Sequence, residues 1–285
     1  MLKSLLFLLV VVLVSLPRSE LRAADISSGR LYRVGSSAYI VVRGPITAGD
    51  ADRFKKQALD LIKRGLIPGI VRVYSPGGDV TEALSIGRQL RTLGASTQAP
   101  LRLSDYNPTV KPGANACPIG DDLTGKWLYY LPPTGQGDVD CVCASACFLI
   151  WAAGTGRHGD VIGVHRPSFV DQAWYGRLPL DAAKKAYDRS VNEAQAYLRE
   201  MEIPDSIIKT MFAVDSRSMY YLEKRDRLQL YNSSVHLEEV TLARCGKLGA
   251  EPSFEQRAKR SDCLGAIYGA DKSGAAEYIK RYGGD

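Results

Sequence analysis

The chain has 285 residues, 45% of them hydrophobic and 24% charged, with a formal net charge of +6. That length suits one large domain, or one domain with a small addition. The basic excess carries no nucleic-acid signature, because Lys and Arg are spread along helical stretches and no basic run is interleaved with aromatics.

The first residues, Met1-Leu2-Lys3, lead into an apolar stretch from Ser4 to Ser15, and small residues follow at Ala23 and Ala24. A basic start, an apolar core of about a dozen residues and small residues at the end are the three parts of a secretory signal peptide, here residues 1–24. A membrane span needs about 20 apolar residues, and no later segment is long and apolar enough to supply one. The end of the segment lacks a clean Ala-x-Ala, so an uncleaved N-terminal anchor is the alternative, and membrane association would then run through it. Cleavage leaves about 260 residues with a charge of about +4, in the periplasm or outside the cell.

Residues 37–43 read as a β-branched strand, and Thr47 or Asp50 as the cap of a helix from Ala51 to Lys63 with Phe54, Ala58, Leu61 and Ile62 on one face. Ile70 to Tyr74 is a second strand, ending in Ser75-Pro76-Gly77-Gly78, and Asp79 opens a helix to Leu93. Strand, helix, strand, helix in that order implies an α/β fold with a largely parallel sheet, whose ligands gather at the carboxyl ends of the strands. From 95 to 140 the periodicity gives way to Pro, Gly, Asn and Asp around Lys126 to Leu131. That is too long for an ordinary connection, so it reads as an insertion or flap, with room for a β-hairpin. Cys143-Ala144-Ser145-Ala146-Cys147 then runs into apolar Phe148 to Ala153, by pattern a helix or a buried strand. Val161 to Val164 is a short strand that delivers His165, one of three histidines, and Pro167 stops it. Helices follow at about 178–199, 206–212 and 223–228, and the main domain (25–230) ends near Leu230. Residues 231–285 read as a small helical appendage containing Cys245 and Cys263.

All six cysteines, Cys117, Cys141, Cys143, Cys147, Cys245 and Cys263, lie in the exported part, where an even number allows three disulfides. Cys245 with Cys263 is the local pairing. Cys117 with Cys141 or Cys143 would close the base of the insertion, leaving a remaining cysteine to face Cys147. The spacing Cys-x-Cys-x-x-x-Cys is irregular for zinc, and neither a metal nor a cofactor is expected.

Ser75-Pro76-Gly77-Gly78, Ala144-Ser145-Ala146 and Gly163-Val164-His165-Arg166-Pro167, in this order, resemble the Clp-type serine peptidases, and more closely their uncharacterised periplasmic relatives within the Clp/crotonase fold. The resemblance runs over residues 36–225, with a gap between 98 and 139. It implies repeated β-β-α units, Ser145 at the start of a helix as nucleophile, and His165 as its base. It also implies an acidic or amide residue after the following helix, which Asp215 matches best, with Ser218 and Asp205 as weaker substitutes. Some relatives manage with a dyad. One oxyanion N–H would come from Gly77 or Gly78 and the other from Ala146. Two departures stand out. The Gly78 to Ser145 separation exceeds that of the Clp-type peptidases, and the cysteines bracketing Ser145 are foreign to cytoplasmic members.

Each feature also has a plain structural explanation. Ser145 would cap a helix, His165 would bond a carbonyl at a strand end, Asp215 would cap a short helix, and the diglycine would be a type II turn. Two functions follow. One is an exported, ATP-independent serine peptidase acting on peptides or proteins through a Ser145 acyl-enzyme, since no Walker motif is present. The other is an inert Clp-like structural or peptide-binding protein. The crotonase side of the resemblance would instead stabilise an acyl-CoA enolate, against which export argues. Homo-oligomerisation is expected from the resemblance alone.

Overall fold

The computed structural model describes residues 23–31, 37–102, 115–118, 129–130, 141–168, 175–231, 239, 242–268 and 272–284. The expected signal segment apart from Ala23 and Ala24, most of the expected insertion, and His236 lie outside the described residues.

The chain is a mixed α/β structure. It opens with β1 (Asp25–Arg30), β2 (Ser37–Arg43), α1 (Asp50–Lys63), β3 (Ile67–Tyr74), α2 (Val80–Leu93) and β4 (Ser96–Gln98). The insertion contributes β5 (Leu101–Arg102), β6 (Asn115–Pro118) and β7 (Tyr129–Tyr130), paired antiparallel. Next come β8 (Cys143–Ala144), α3 (Ala146–Ala152), β9 (Arg157–His158) and β10 (Ile162–Val164). The remainder is α4 (Leu180–Glu200), α5 (Asp205–Ala213), β11 (Tyr220–Tyr221), α6 (Lys224–Tyr231), α7 (Phe254–Tyr268) and α8 (Lys272–Tyr282). The main sheet has the order β1-β2-β3-β4-β9, parallel except for β1, and a second sheet has the order β11-β10-β8.

Alternation sorts β2 and β3 into two faces. Ala38, Ile40, Val42, Val71 and Val73 join the main core with α1 and α2. Val41 and Tyr74 point the other way and cluster with Cys117 and Cys141, so the base of the insertion covers the second face. There the Arg72 guanidinium also lies 4.4 Å above the Tyr39 ring, a cation–π contact. β1 was not legible in its polar sequence. It forms by pairing along the edge of β2, and a Cβ at Gly29 would come within 2.3 Å of the Tyr39 hydroxyl.

The run after Ser145 is helical rather than extended, and all seven residues of α3 are buried. Burying large apolar side chains such as Phe148, Leu149, Ile150 and Trp151 stabilises the fold by about 1.5–3 kcal/mol each. Trp151 satisfies its indole N–H on His158 O at 2.9 Å. Fully buried Tyr278 places the C-terminal α8 in the same core cluster as α2. Its hydroxyl donates to Gln89 Oε1 (2.6 Å), and Gln89 donates in turn to Ala51 O (3.1 Å), which ties the chain end to α1 and α2.

Arg157 is a buried hub. Its guanidinium donates to Ala152 O, Met201 O and Leu230 O, at the C-terminal ends of α3, α4 and α6. Each end carries a partial negative charge. Three helices therefore converge on one cation held by carbonyls. Burial, reinforced by neighbouring Arg91, lowers the Arg157 pKa to about 10.

Candidate active site

The three motifs meet because their strands are neighbours. Ser75, just past β3, bridges Cys143 of β8 in parallel, with Ser75 N–H donating to Val142 O (2.8 Å) and Ala144 N–H to Ser75 O (3.0 Å). β8 in turn pairs parallel with β10. The diglycine, Ser145 and His165 therefore sit at the carboxyl ends of three adjacent parallel strands, where open α/β sheets bind ligands.

Ser145 has φ 57 and ψ −124, a left-handed conformation for a residue with a side chain. Such a backbone costs about 1–3 kcal/mol and persists only where its surroundings hold it. Here its N–H donates to Gly163 O (2.9 Å), and its carbonyl accepts from Phe148 N–H (3.0 Å). A disulfide between Cys143 and Cys147, both fully buried, closes over the turn. Ser145 occupies the N-cap position of α3, but its hydroxyl makes no capping bond and bonds no described residue. No polar side-chain atom among the described residues is buried without a partner, so this Oγ reaches solvent. The strand end lifts it there while the helix behind it stays in the core.

The two glycines differ. Gly77, at φ 109, is pressed against the serine: a Cβ there would lie 2.5 Å from Ser145 Cβ and 3.0 Å from its Oγ. Its N–H is occupied by the buried Ser75 hydroxyl at 3.0 Å. Gly78, at φ 138, is exposed, and its N–H bonds no described residue. A Cβ on Gly78 would lie 2.1 Å from Ile46 O. The N–H of Ala146, first in α3, is likewise unbonded, as the first amides of a helix are. Of the two expected glycine donors, Gly78 is the one with a free amide.

His165 is 8% exposed, and its Nδ1 lies 2.7 Å from Arg166 O. A carbonyl only accepts, so Nδ1 carries the proton and the lone pair of the neutral ring is on Nε2. Nε2 bonds no described residue, and neither does it bond Ser145 Oγ. Asp215 makes no hydrogen bond or ion pair with the imidazole. Arg166 N–H donates to Val214 O (3.1 Å), and this register sets Asp215 alongside Arg166. One carboxylate oxygen accepts from Arg166 Nη2 (2.8 Å), and the other from Arg217 N and Nε (3.0 Å each). The hydrogen bonds from Arg217, with the charge of Arg166 adding, hold its pKa at about 2. The group that orients His165 is thus the Arg166 carbonyl, which residue-type reasoning passes over because any residue supplies one. Ser75 belongs to the diglycine motif, and the tertiary fold sets its hydroxyl on Gly77 N–H. Ser218 lies in the same turn, where its N–H donates to Asp215 O (2.9 Å), and exposed Asp205 pairs with Arg199.

A cavity of about 640 Å³ opens beside this group, lined by Arg166, Pro167, Ser168, Tyr175, Tyr187 and Ser216 among others. Among the described residues no group of three or more His, Cys, Asp or Glu side chains is placed to hold a metal ion. Three disulfides, Cys117–Cys141, Cys143–Cys147 and Cys245–Cys263, account for all six cysteines. No helix among the described residues is long and apolar enough to cross a membrane.

No protein-family model and no curated protein sequence matches the chain. Among solved structures it is similar to a mutant of ClpP1 from Listeria monocytogenes, at 14% identity and a TM-score of 0.40, over 67% of this chain and 85% of that one. It is also similar to a mutant of the 1510-N membrane-bound stomatin-specific protease, at 12% identity and a TM-score of 0.38, over 76% of this chain and 87% of that one.

Proposed function

We propose that the chain is an exported, ATP-independent serine peptidase of Clp/crotonase-like fold that hydrolyses peptide bonds through a Ser145 acyl-enzyme. What supports this reading is that the uncapped, solvent-reaching Ser145 hydroxyl, the unbonded Gly78 and Ala146 amides and His165, its Nδ1 held by a carbonyl, all lie at the ends of adjacent parallel strands. In the reaction Ser145 Oγ bonds to the scissile carbonyl carbon while His165 Nε2 takes its proton. Gly78 and Ala146 N–H groups receive the oxyanion, helped by the positive end of α3. Collapse breaks the C–N bond, and the imidazolium returns its proton to the departing amine. Water, deprotonated by the same Nε2, then cleaves the ester and restores Ser145. The Arg166 carbonyl holds the ring throughout, as a dyad requires, and no carboxylate is needed.

Three disulfides and no free cysteine support export, because such bonds persist in oxidising compartments. The test is labelling of the oxidised, folded protein with a fluorophosphonate. The label maps to Ser145 and disappears, together with hydrolysis of an unstructured protein substrate, in Ser145→Ala. Folded protein that takes no label overturns the reading.

A second reading draws on Asp215, whose carboxylate is committed to Arg166 and Arg217 rather than to His165. It makes the protein an inert peptide-binding relative, which binds unfolded substrate equally with Ser145 or Ala at this position and hydrolyses none.

A further inference from the structure

We propose that the cavity lined by Arg166 and Pro167, the residues that follow His165, is a subsite for a carboxylate on the leaving-amine side of the scissile bond, with Arg166 as the specificity-determining residue. This rests on the hydrolase reading above and adds a substrate class to it. His165 delivers its proton to the leaving amine, so that half of the substrate must lie over the imidazole. The cavity is lined by the very next residues, Arg166, Pro167 and Ser168, together with Tyr175, Tyr187 and Ser216. Its approximately 640 Å³ holds a side chain with room for water.

The charge of its wall selects the occupant. Arg166 and Arg217 share the single carboxylate of Asp215, so this cluster carries one surplus positive charge. Arg166 spends one Nη2 donor on Asp215, and its side chain is 41% exposed. A guanidinium has five N–H donors in a planar fork, so the remaining donors suit a carboxylate entering the cavity. The two tyrosines frame the site with flat, partly polar walls, and the Tyr175 hydroxyl is anchored on Ala183 O at 3.0 Å. A lysine or arginine side chain would meet the surplus charge and be excluded. The carboxylate has two sources, an acidic side chain or the free C-terminus of the peptide.

The experiment measures binding of fluorescent peptides to Ser145→Ala protein by anisotropy. The pairs differ only by Glu against Gln, or by a free against an amidated C-terminus, and the pair that discriminates identifies the source. The favoured carboxylate binds about tenfold more tightly than its neutral partner, and Arg166→Gln, which keeps the backbone carbonyl, brings the ratio within about twofold. Asp215→Asn frees Arg166 and raises the ratio, an increase that general damage to the fold does not produce. Equal binding within both pairs, or a preference that survives Arg166→Gln, overturns the subsite. Fluorophosphonate labelling of the wild type separates the two claims. A labelled protein without carboxylate preference sinks the subsite and leaves the hydrolase reading standing, while carboxylate preference without labelling does the reverse.

Discussion

The turn that carries Ser145, the proposed nucleophile, and the loops around His165, the proposed base, are built in opposite ways. Residues Cys143 to Cys147 are held by strand pairing on both sides, a disulfide over the turn and a helix buried on every face. His165 to Ser168 and Val214 to Arg217 are loops whose charged side chains run from half-buried, 36% exposed at Asp215 and 41% at Arg166, to open at Arg217, 88% exposed. Closely packed interiors resist deformation, whereas exposed ion pairs are worth little and are screened by salt. The difference teaches that the position of Ser145 belongs to the core and cannot drift without unfolding part of it. The charge beside His165 can be changed at small cost, and only the imidazole, tied to its neighbour's carbonyl, is fixed there.

The largest effect on the core-built side is expected from Ser145→Ala. Removing a nucleophile leaves only binding and oxyanion stabilisation, so hydrolysis falls by at least about 10⁴-fold, with an unchanged melting temperature because alanine keeps the Cβ and with it the strain at φ 57. Residual activity within tenfold of wild type would place the nucleophile elsewhere.

Gly78→Ala comes next. The new Cβ has no room beside Ile46 O, and φ 138 is a strained backbone for alanine, so the amide turns away. Loss of one oxyanion donor lowers kcat by about 10²-fold with little change in KM. Steady-state kinetics decide it: a fall in melting temperature with kcat intact would reduce Gly78 to a turn residue.

The two disulfides near the site give a crossed prediction. Cys117–Cys141 closes a span of 24 residues and Cys143–Cys147 a span of 4. By loop entropy, removing the first costs about 3.5 kcal/mol and the second about 2. Activity runs the other way. Cys143→Ala/Cys147→Ala slows acylation about tenfold by loosening a strained turn, while Cys117→Ala/Cys141→Ala leaves the acylation rate of the folded fraction unchanged. Calorimetry paired with labelling rates tests this, and parallel losses in both variants would erase the proposed division of labour.

The smallest effect lies on the loop-built side. Asp215 sits at about 2 rather than 3.8, chiefly through its hydrogen bonds to Arg217. A carboxylate with a depressed folded-state pKa contributes stability above pH 3.8 that is lost as the pH falls towards 2. An NMR titration of the Asp215 carboxyl finds its midpoint near 2, moving up towards 3.8 in Arg217→Ala. A wild-type midpoint at 3.8 would show the pair to be absent in solution.

Much of the nucleophile side was legible in advance, for reasons visible in single residues. The β-branched runs and Asp79 as cap of α2 (Oδ1 accepting from Glu82 N–H at 3.0 Å) encode local conformation. Cys245 and Cys263 found each other as the local pairing had it. α3 was ambiguous because a run apolar on every face has no period, and only its helical packing resolves it. β1 was illegible because its residues supply backbone pairing rather than side-chain burial. The last helix looked detachable because two residues, Tyr278 and Ala275, do most of its burying. Beside His165, Asp215 is what the resemblance implies, while its partner is decided by the register of Val214 against Arg166.

By itself, the sequence determined which residues are chemically able to serve, in what order, and at the ends of which elements, because turn geometry, helix caps and strand periodicity are local properties of the chain. Tertiary structure alone decided that the ends of β3, β8 and β10 lie side by side, that Gly78 rather than Gly77 keeps a free amide, and that His165 Nδ1 meets the Arg166 carbonyl while the Asp215 carboxylate meets Arg166 and Arg217. The physical reason is that hydrogen-bond partners are settled by pairing register between segments tens of residues apart. A shift of one residue there exchanges every partner while leaving each local pattern intact.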